Sequence, residues 1–121
     1  MCGRYNLIED ARALVDFFTL DHSLEMLPRY NIAPSQDIPV VRQGREGREL
    51  ALLRWGLIPH WAKDHKIGYR MINARAETVA QKPSFRTAFR RRRCLIPATG
   101  FYEWKNCLLY TSDAADDASS V

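Results

Sequence analysis

The spacing of apolar residues along the chain predicts three short helices. Over residues 8–20, apolar side chains recur at helical spacing and two acidic residues lie in the first turn, which is typical of an amphipathic helix. Residues 71–81 begin as a short extended piece that is expected to enter a second helix. In the stretch 82–93, Phe85 and Phe89 stand four residues apart, which predicts a third helix.

The remaining apolar runs predict strands that outnumber the helices. Residues 38–43 and 49–59 flank a glycine-containing turn, which predicts a β-hairpin. The two prolines of 28–36 indicate a shaped loop, because proline lacks a backbone donor and restricts its predecessor. Two strand-like pieces separated by Gly100 lie within 94–105. Because strands and helices do not alternate regularly, we expect an α+β or mainly β domain with short helices, and not a doubly wound sheet.

The composition predicts one small domain, or part of a larger one, in a chain of 121 residues. Residues 106–121 hold three aspartates, many small residues and no basic residue, which predicts a disordered or non-native tail after a domain at 1–105. Neither a leader nor an apolar run long enough to span a membrane is visible. Three scattered cysteines fit neither a disulfide framework nor a metal site. We therefore expect a reducing, cytoplasmic location.

The charge of the chain favours a polyanionic partner. Fourteen of the eighteen basic residues are arginine and the formal net charge is +4; over residues 1–105, eighteen basic and eleven acidic residues give +7. The planar guanidinium fork suits phosphate oxygens, so nucleic acid is one expectation and an ordinary solvated surface is the other. The arginine run at 90–93 is assigned only a diffuse electrostatic role.

The second residue, Cys2, is the strongest candidate for chemistry. Once Met1 is removed, Cys2 carries an α-amine and a thiol on adjacent carbons, and both have nucleophilic fractions near neutral pH. The amine can condense with an aldehyde, and the tethered thiolate can close a thiazolidine ring. The ring-opened sugar of an abasic site in DNA supplies such an aldehyde. The alternative is a chance residue at a frayed terminus.

Two further candidates lie among aromatic residues. Trp61 follows turn-forming residues in a polar loop, where it could stack on a base or instead fold back over the core. Glu103 stands between two aromatic residues, where it could shuttle protons during imine formation or simply face outward from a strand.

The segment INARAET combines an amide, a guanidinium and a carboxylate. If the segment is extended, Asn73, Arg75 and Glu77 share one face because side chains alternate with period two. Asn73 could then bind a sugar hydroxyl or hold the N-terminal amine, and Arg75 could bind a phosphate. An equally simple interpretation is an asparagine cap beside a surface Arg–Glu pair.

The motifs MCGRY, RYNIAPSQ, WGLIPHWA, INARAET and CLIPATGFYEW occur in this order between residue 1 and about residue 105. Together they resemble the SRAP family, the SOS response-associated peptidase-like proteins that process abasic sites in the DNA damage response. The resemblance implies a β-rich α+β fold with a basic cleft for single-stranded DNA or a single-to-double-strand junction. It also implies a thiazolidine crosslink between the N-terminal cysteine and the lesion, which shields the lesion from cleavage.

Residue roles carried over from the resemblance are expectations as well. Cys2 is the nucleophile, Asn73 orients the N-terminus and sugar, and Glu103 is the acid/base group. The residues expected to contact DNA are Arg4, Asn31, Pro34, Trp61, Arg75 and Trp104. The family is also credited with autoproteolytic removal of residue 1, and lyase activity is a further expectation. We expect no cofactor, metal or membrane, and a monomer that joins the nucleoid when bound to DNA.

The sequence departs from the family pattern in one respect. Family members carry a histidine in an H-x-R-M-P motif well after GFYEW, whereas His22, His60 and His65 all lie upstream in other contexts. The family's domain is also close to twice this length, so the resemblance covers its N-terminal portion. Two alternatives therefore stay open: a non-covalent DNA-binding module, and a cysteine-dependent peptidase.

Overall fold

The structure, a computed structural model, describes residues 1–105. The predicted disordered or non-native tail lies outside the described residues. The elements in chain order are strand β1 (Tyr5–Leu7), helix α1 (Ala11–Phe18), strands β2 (Arg29–Ile32), β3 (Asp37–Gly44) and β4 (Gly47–Arg54), a 3₁₀ helix (His65–Arg70), helix α2 (Arg86–Arg91) and strand β5 (Gly100–Phe101). The predicted β-rich α+β class is confirmed.

The strands form two small antiparallel sheets. The first has the order β2-β1-β5, in which Tyr5 of the central strand is opposite Ile32 on one side and Phe101 on the other. The second is the hairpin of β3 and β4, which confirms the predicted hairpin. Its turn is shorter than expected because Gly44 and Gly47 already pair, and Gly47 adopts a positive φ of 122° that favours glycine.

The helices are shorter than the sequence pattern predicted. Helix α1 begins at Ala11 because the Asp10 side chain caps it, accepting from the Ala13 amide at 2.9 Å. Of the predicted stretch 82–93, only Arg86–Arg91 is α-helical. No helix among residues 1–105 has the length and apolar character needed to cross a membrane.

The helix predicted within 71–81 is wrong. Residues 76–81 form consecutive turns instead, in which the amides of Thr78 and Val79 both donate to the Arg75 carbonyl. Pro83 prevents a helix from continuing past Lys82, because proline lacks an amide hydrogen and disfavours helical geometry at the residue before it.

The core lies where the strands of the two sheets meet helix α1. Its buried side chains are Tyr5, Leu7, Leu14, Leu20, Ile32, Ile38, Val40, Val41 and Leu50. Cys2 and Trp55 pack against this cluster, and the Trp55 ring meets the Tyr5 ring edge-on at a centroid distance of 5.6 Å. The N-terminal residues are therefore anchored on the core.

A close backbone approach follows strand β4. Gly56 has a φ of 131°, and a Cβ built there would lie 2.6 Å from the carbonyl oxygen of Gly68. This proximity lets the Leu57 amide donate to the Met71 carbonyl at 3.0 Å. Gly56 thus brings the segment that contains Asn73 against the end of the hairpin.

We predict that Gly56→Ala destabilises the protein by about 1–3 kcal/mol, because the new methyl group collides with backbone and the positive φ becomes strained. The measurement is urea-induced unfolding. Gly3→Ala is the matched control, since no atom lies within 4 Å of a Cβ built there. Equal stability of the two variants would contradict the proposed close approach.

The buried Tyr5 hydroxyl predicts a pH dependence of stability. Burial, opposed by the Arg29 guanidinium and assisted by Cys2, raises the pKa of Tyr5 to about 12. Because the folded pKa exceeds the reference value of about 10, the stability that this group contributes is complete below pH 10 and is lost as the pH rises to about 12. The loss is at most about 2–3 kcal/mol. Unfolding measured from pH 9 to 12 should show a smaller decrease for Tyr5→Phe than for the unaltered chain.

Candidate functional site

The N-terminal segment is held in place by two hydrogen bonds to its carbonyl groups. The Asn73 side-chain amide donates to the Cys2 carbonyl at 2.8 Å, and the Tyr102 amide donates to the Arg4 carbonyl at 2.9 Å. The Cys2 thiol also lies 3.9 Å from the Arg4 carbonyl oxygen. Because Cys2 is half-buried on the core, its thiol occupies a defined position rather than a frayed end.

Glu103 lies beside the N-terminus. One of its carboxylate oxygens is 4.0 Å from the Met1 ammonium nitrogen, and both side chains are accessible to solvent. The surrounding pocket has a volume of about 390 Å³ and is lined by Met1, Gly3, Arg4, Tyr102, Glu103 and Trp104. This pocket contains a carboxylate and a cation at its rim, and it is open enough to admit a small polar group.

Tyr102 positions the segment after strand β5 that carries Glu103. Its hydroxyl donates to the Tyr30 carbonyl at 2.7 Å and accepts from the Asn6 amide at 3.2 Å. Thr99 adds a backbone bond from its amide to the Asn6 carbonyl, at 2.8 Å. Strand β5 is only two residues long, so these side-chain and backbone bonds extend its attachment to β1 and β2.

Asn73 reaches Cys2 because Trp55 fixes the residue before it. The indole nitrogen of Trp55 donates to the Ile72 carbonyl at 2.9 Å, while the Trp55 ring packs against Tyr5. A continuous series of contacts therefore runs from Tyr5 through Trp55 and Ile72 to Asn73 and back to Cys2. Sequence reasoning missed this role for Trp55. The feature that could have indicated it is a tryptophan within the apolar run 49–59, directly after strand β4.

Two of the predicted DNA contacts, Arg4 and Asn31, touch each other, and Arg4 also lines the pocket. The Arg4 guanidinium donates to the Asn31 side-chain oxygen at 3.2 Å, and both residues are exposed. Pro34 lies in the adjacent turn, where Ser35 donates to the Trp55 carbonyl and the Trp55 amide donates to Gln36. Their assignment as DNA contacts stays a prediction.

Trp104 continues the same surface. Its ring is 74% exposed and meets the Tyr102 ring edge-on at 5.9 Å. Glu103 itself is not enclosed by these rings, because its side chain is 41% exposed. Glu103 thus stands between two aromatic residues in the sequence, but its carboxylate is open to solvent.

Two other predicted DNA contacts lie outside this pocket. Trp61 is exposed, as its polar loop suggested, and lines a separate pocket of about 410 Å³ that also includes Lys63 and Arg70. Arg75 is exposed, and its carbonyl caps the turns that follow. Because these turns begin at residue 76, Glu77 does not continue an extended run with Asn73 and Arg75, and the predicted shared face of the three is not formed.

The three histidines lie outside the pocket at Glu103. His22 contacts the Glu46 carbonyl at the hairpin turn, and His60 and His65 are exposed in the segment around the 3₁₀ helix. None of the three lines the pocket at Glu103. Within residues 1–105, no group of three or more His, Cys, Asp or Glu side chains could hold a metal ion.

A family model described as SOS response associated peptidase (SRAP) matches residues 1–115. The chain belongs to this family. The SRAP match begins at Met1 and contains Cys2, Asn73 and Glu103, the three residues that the structure gathers around the N-terminus.

Individual SRAP relatives extend the comparison. "Abasic site processing protein YoqW" of Bacillus subtilis is 52% identical over 108 residues, which are 87% of this chain and 48% of that protein. "Abasic site processing protein HMCES" of Mus musculus is 34% identical over 92 residues, covering 66% of this chain and 26% of that protein. The chain thus spans about half the length of the Bacillus relatives that it matches.

Solved structures agree with this fold. A crystal structure of a Bacteroides thetaiotaomicron protein matches with a TM-score of 0.75 at 23% identity; the match covers 90% of this chain and 51% of that protein chain. A second crystal structure, from Bordetella bronchiseptica, matches with a TM-score of 0.67 at 30% identity; the match covers 84% of this chain and 50% of that protein chain. The fold therefore matches about half of each larger structure.

We predict that loss of the Tyr102 hydroxyl lowers the free energy of unfolding of the protein. Tyr102→Phe removes a bond to the Tyr30 carbonyl and a bond from Asn6, so the free energy of unfolding should fall by about 1–2 kcal/mol. Tyr30→Phe is the matched control, because Tyr30 contributes only its carbonyl to this contact. Thermal or urea denaturation compares the two; a larger loss for Tyr30→Phe would contradict the contact.

Proposed function

We propose that this chain captures abasic sites in DNA covalently through Cys2. The observation that carries the proposal is the convergence of three groups: the half-buried Cys2, the Asn73 amide bound to its carbonyl, and the Glu103 carboxylate 4.0 Å from the terminal ammonium. Support also comes from SRAP relatives that are named abasic site processing proteins.

The reaction begins after Met1 has been removed, in the manner of the family's autoproteolysis. The new α-amine of Cys2 lies one residue from the present ammonium, and consecutive Cα atoms are about 3.8 Å apart, so it stays near Glu103. The amine attacks the aldehyde carbon to give a carbinolamine. Glu103 first accepts the proton that the Cys2 ammonium loses when it becomes the nucleophilic amine. It then returns this proton to the carbinolamine hydroxyl, which leaves as water, and a protonated imine forms.

Ring closure completes the capture. The Cys2 thiolate adds to the carbon of the protonated imine, and a five-membered thiazolidine results. The thiol and amine are attached to adjacent carbons, so closure needs no further encounter. Asn73 holds the Cys2 carbonyl and thereby fixes the backbone that carries both nucleophiles. The net change is the loss of one water.

The pocket geometry is also compatible with a nearby strand of DNA. Arg4 at the rim supplies a cation for a phosphate, and the exposed Trp104 ring offers a stacking surface for a base. Gly3 leaves room beside them, since nothing lies within 4 Å of a Cβ built there. Single-stranded DNA or a single-to-double-strand junction is the proposed substrate.

The proposed chemistry predicts a covalent adduct that depends on Cys2. Incubation with a single-stranded oligonucleotide containing one abasic site should give a heat-stable band on a denaturing gel. Its mass should equal protein without Met1 plus DNA less one water. Cys2→Ala should abolish the band, whereas Cys94→Ala, which changes an exposed cysteine outside the pocket, should not. Glu103→Gln should slow its formation roughly 100-fold, within the usual range for general acid–base catalysis.

The outcomes separate the alternatives. An adduct that persists in Cys2→Ala would overturn the proposed nucleophile. Salt-sensitive binding without any adduct in the unaltered chain would indicate a non-covalent DNA-binding module. Cleavage of a peptide without DNA would indicate a cysteine-dependent peptidase, a reaction for which the pocket at Glu103 provides no histidine.

A further inference from the structure

Arginines on and just beyond helix α2 line one groove. Arg86 and Arg90 are four residues apart and lie on the same side of the helix, which ends at Arg91; Arg93 follows two residues after that end. The three arginines line a groove of about 780 Å³ together with Ala80, Thr87 and Phe89. We refer to these six residues as the arginine groove.

Within residues 1–105, no acidic side chain pairs with the cations of the arginine groove. Arg86 and Arg90 make no side-chain hydrogen bond or ion pair within residues 1–105, and both are exposed. The sequence has no acidic residue from Thr78 through Tyr102, although it has six basic residues there. Like charges four residues apart destabilise a helix. A bound anion would relieve this repulsion.

Arg93 is held at one end of the groove by contacts with Phe89. Its Nε donates to the Phe89 carbonyl at 2.8 Å, and its guanidinium carbon lies 3.7 Å from the centre of the Phe89 ring. The remaining guanidinium nitrogens stay available, since one arginine carries five N–H donors. The groove therefore presents one held cation at one end and, beside it, two cations that have no side-chain partner within residues 1–105.

We propose that the arginine groove is a second contact for the phosphate backbone of DNA, separate from the pocket at Glu103. None of the residues that line the groove also lines that pocket. A row of forked cations suits consecutive phosphates along a strand better than a single small anion. This contact goes beyond the proposed capture of abasic sites, because it requires neither a lesion nor Cys2.

The test measures binding to undamaged single-stranded DNA in the full chain with Cys2→Ala, where no adduct can form. Adding Arg86→Gln and Arg90→Gln should weaken binding roughly 20-fold at 0.1 M salt and reduce the slope of log K against log salt by about 1.4. The defect should grow with oligonucleotide length, because a short strand that occupies only the pocket does not reach the groove. Arg86→Lys with Arg90→Lys should retain the slope.

A matched control separates this contact from net charge. Arg12→Gln with Arg45→Gln removes the same charge from exposed positions outside the arginine groove, and should cost less than threefold. Equal losses in the two double variants would overturn the proposal. It would also be overturned if Arg86 and Arg90 were needed for binding phosphatidylserine vesicles but not DNA.

A measurement on the unaltered chain does not depend on the folding of any variant. Phenylglyoxal modifies accessible arginines, and mass spectrometry locates the modified sites. Undamaged DNA should protect Arg86 and Arg90 but leave Arg12 and Arg45 reactive. Unprotected Arg86 and Arg90 at saturating DNA would overturn the proposal, whatever the outcome of the adduct experiment at Cys2.

Discussion

Strand β1 pairs with a strand on each side, and this pairing determines where the N-terminus lies. Through Tyr5 it meets Ile32 of β2 and Phe101 of β5, elements that are distant in sequence. Because β1 begins only three residues after Cys2, its register also sets the position of the cysteine. Because β5 ends just before Tyr102, the same register brings Glu103 to the terminal ammonium. A shift of one residue would direct these side chains to the opposite faces of the sheet.

The second half of the site depends on packing against that sheet. The Tyr5 ring supports Trp55, the Trp55 indole binds the Ile72 carbonyl, and the next residue, Asn73, binds Cys2. The close approach of Gly56 and Gly68 allows this return of the chain. Asn73 thus depends on contacts made by residues that touch no proposed substrate. Variants at Trp55 or Gly56 are expected to affect the site through position rather than chemistry.

The positive charge is distributed over surfaces with different surroundings. At the pocket, Arg4 is held by Asn31 and lies beside a carboxylate, which suits local binding of one phosphate next to a reacting group. Around α2, Arg86 and Arg90 face solvent without an acidic partner in residues 1–105. Such a surface contributes mainly long-range attraction and salt-dependent affinity. The two surfaces therefore serve proposed roles that can be tested independently.

The sequence alone determined the local features of this protein. Periodicity located α1 and the hairpin, because amphipathic spacing and turn residues act over a few positions, and the ordered motifs identified the SRAP resemblance. It did not determine that 76–81 would form turns, since Pro83 opposed a pattern that otherwise favoured a helix. Only the tertiary structure decided that Cys2, Asn73 and Glu103 meet, and that Arg86, Arg90 and Arg93 stay unneutralised by acidic residues within 1–105. These relations arise from strand pairing and packing between residues up to a hundred positions apart, and no local pattern encodes them.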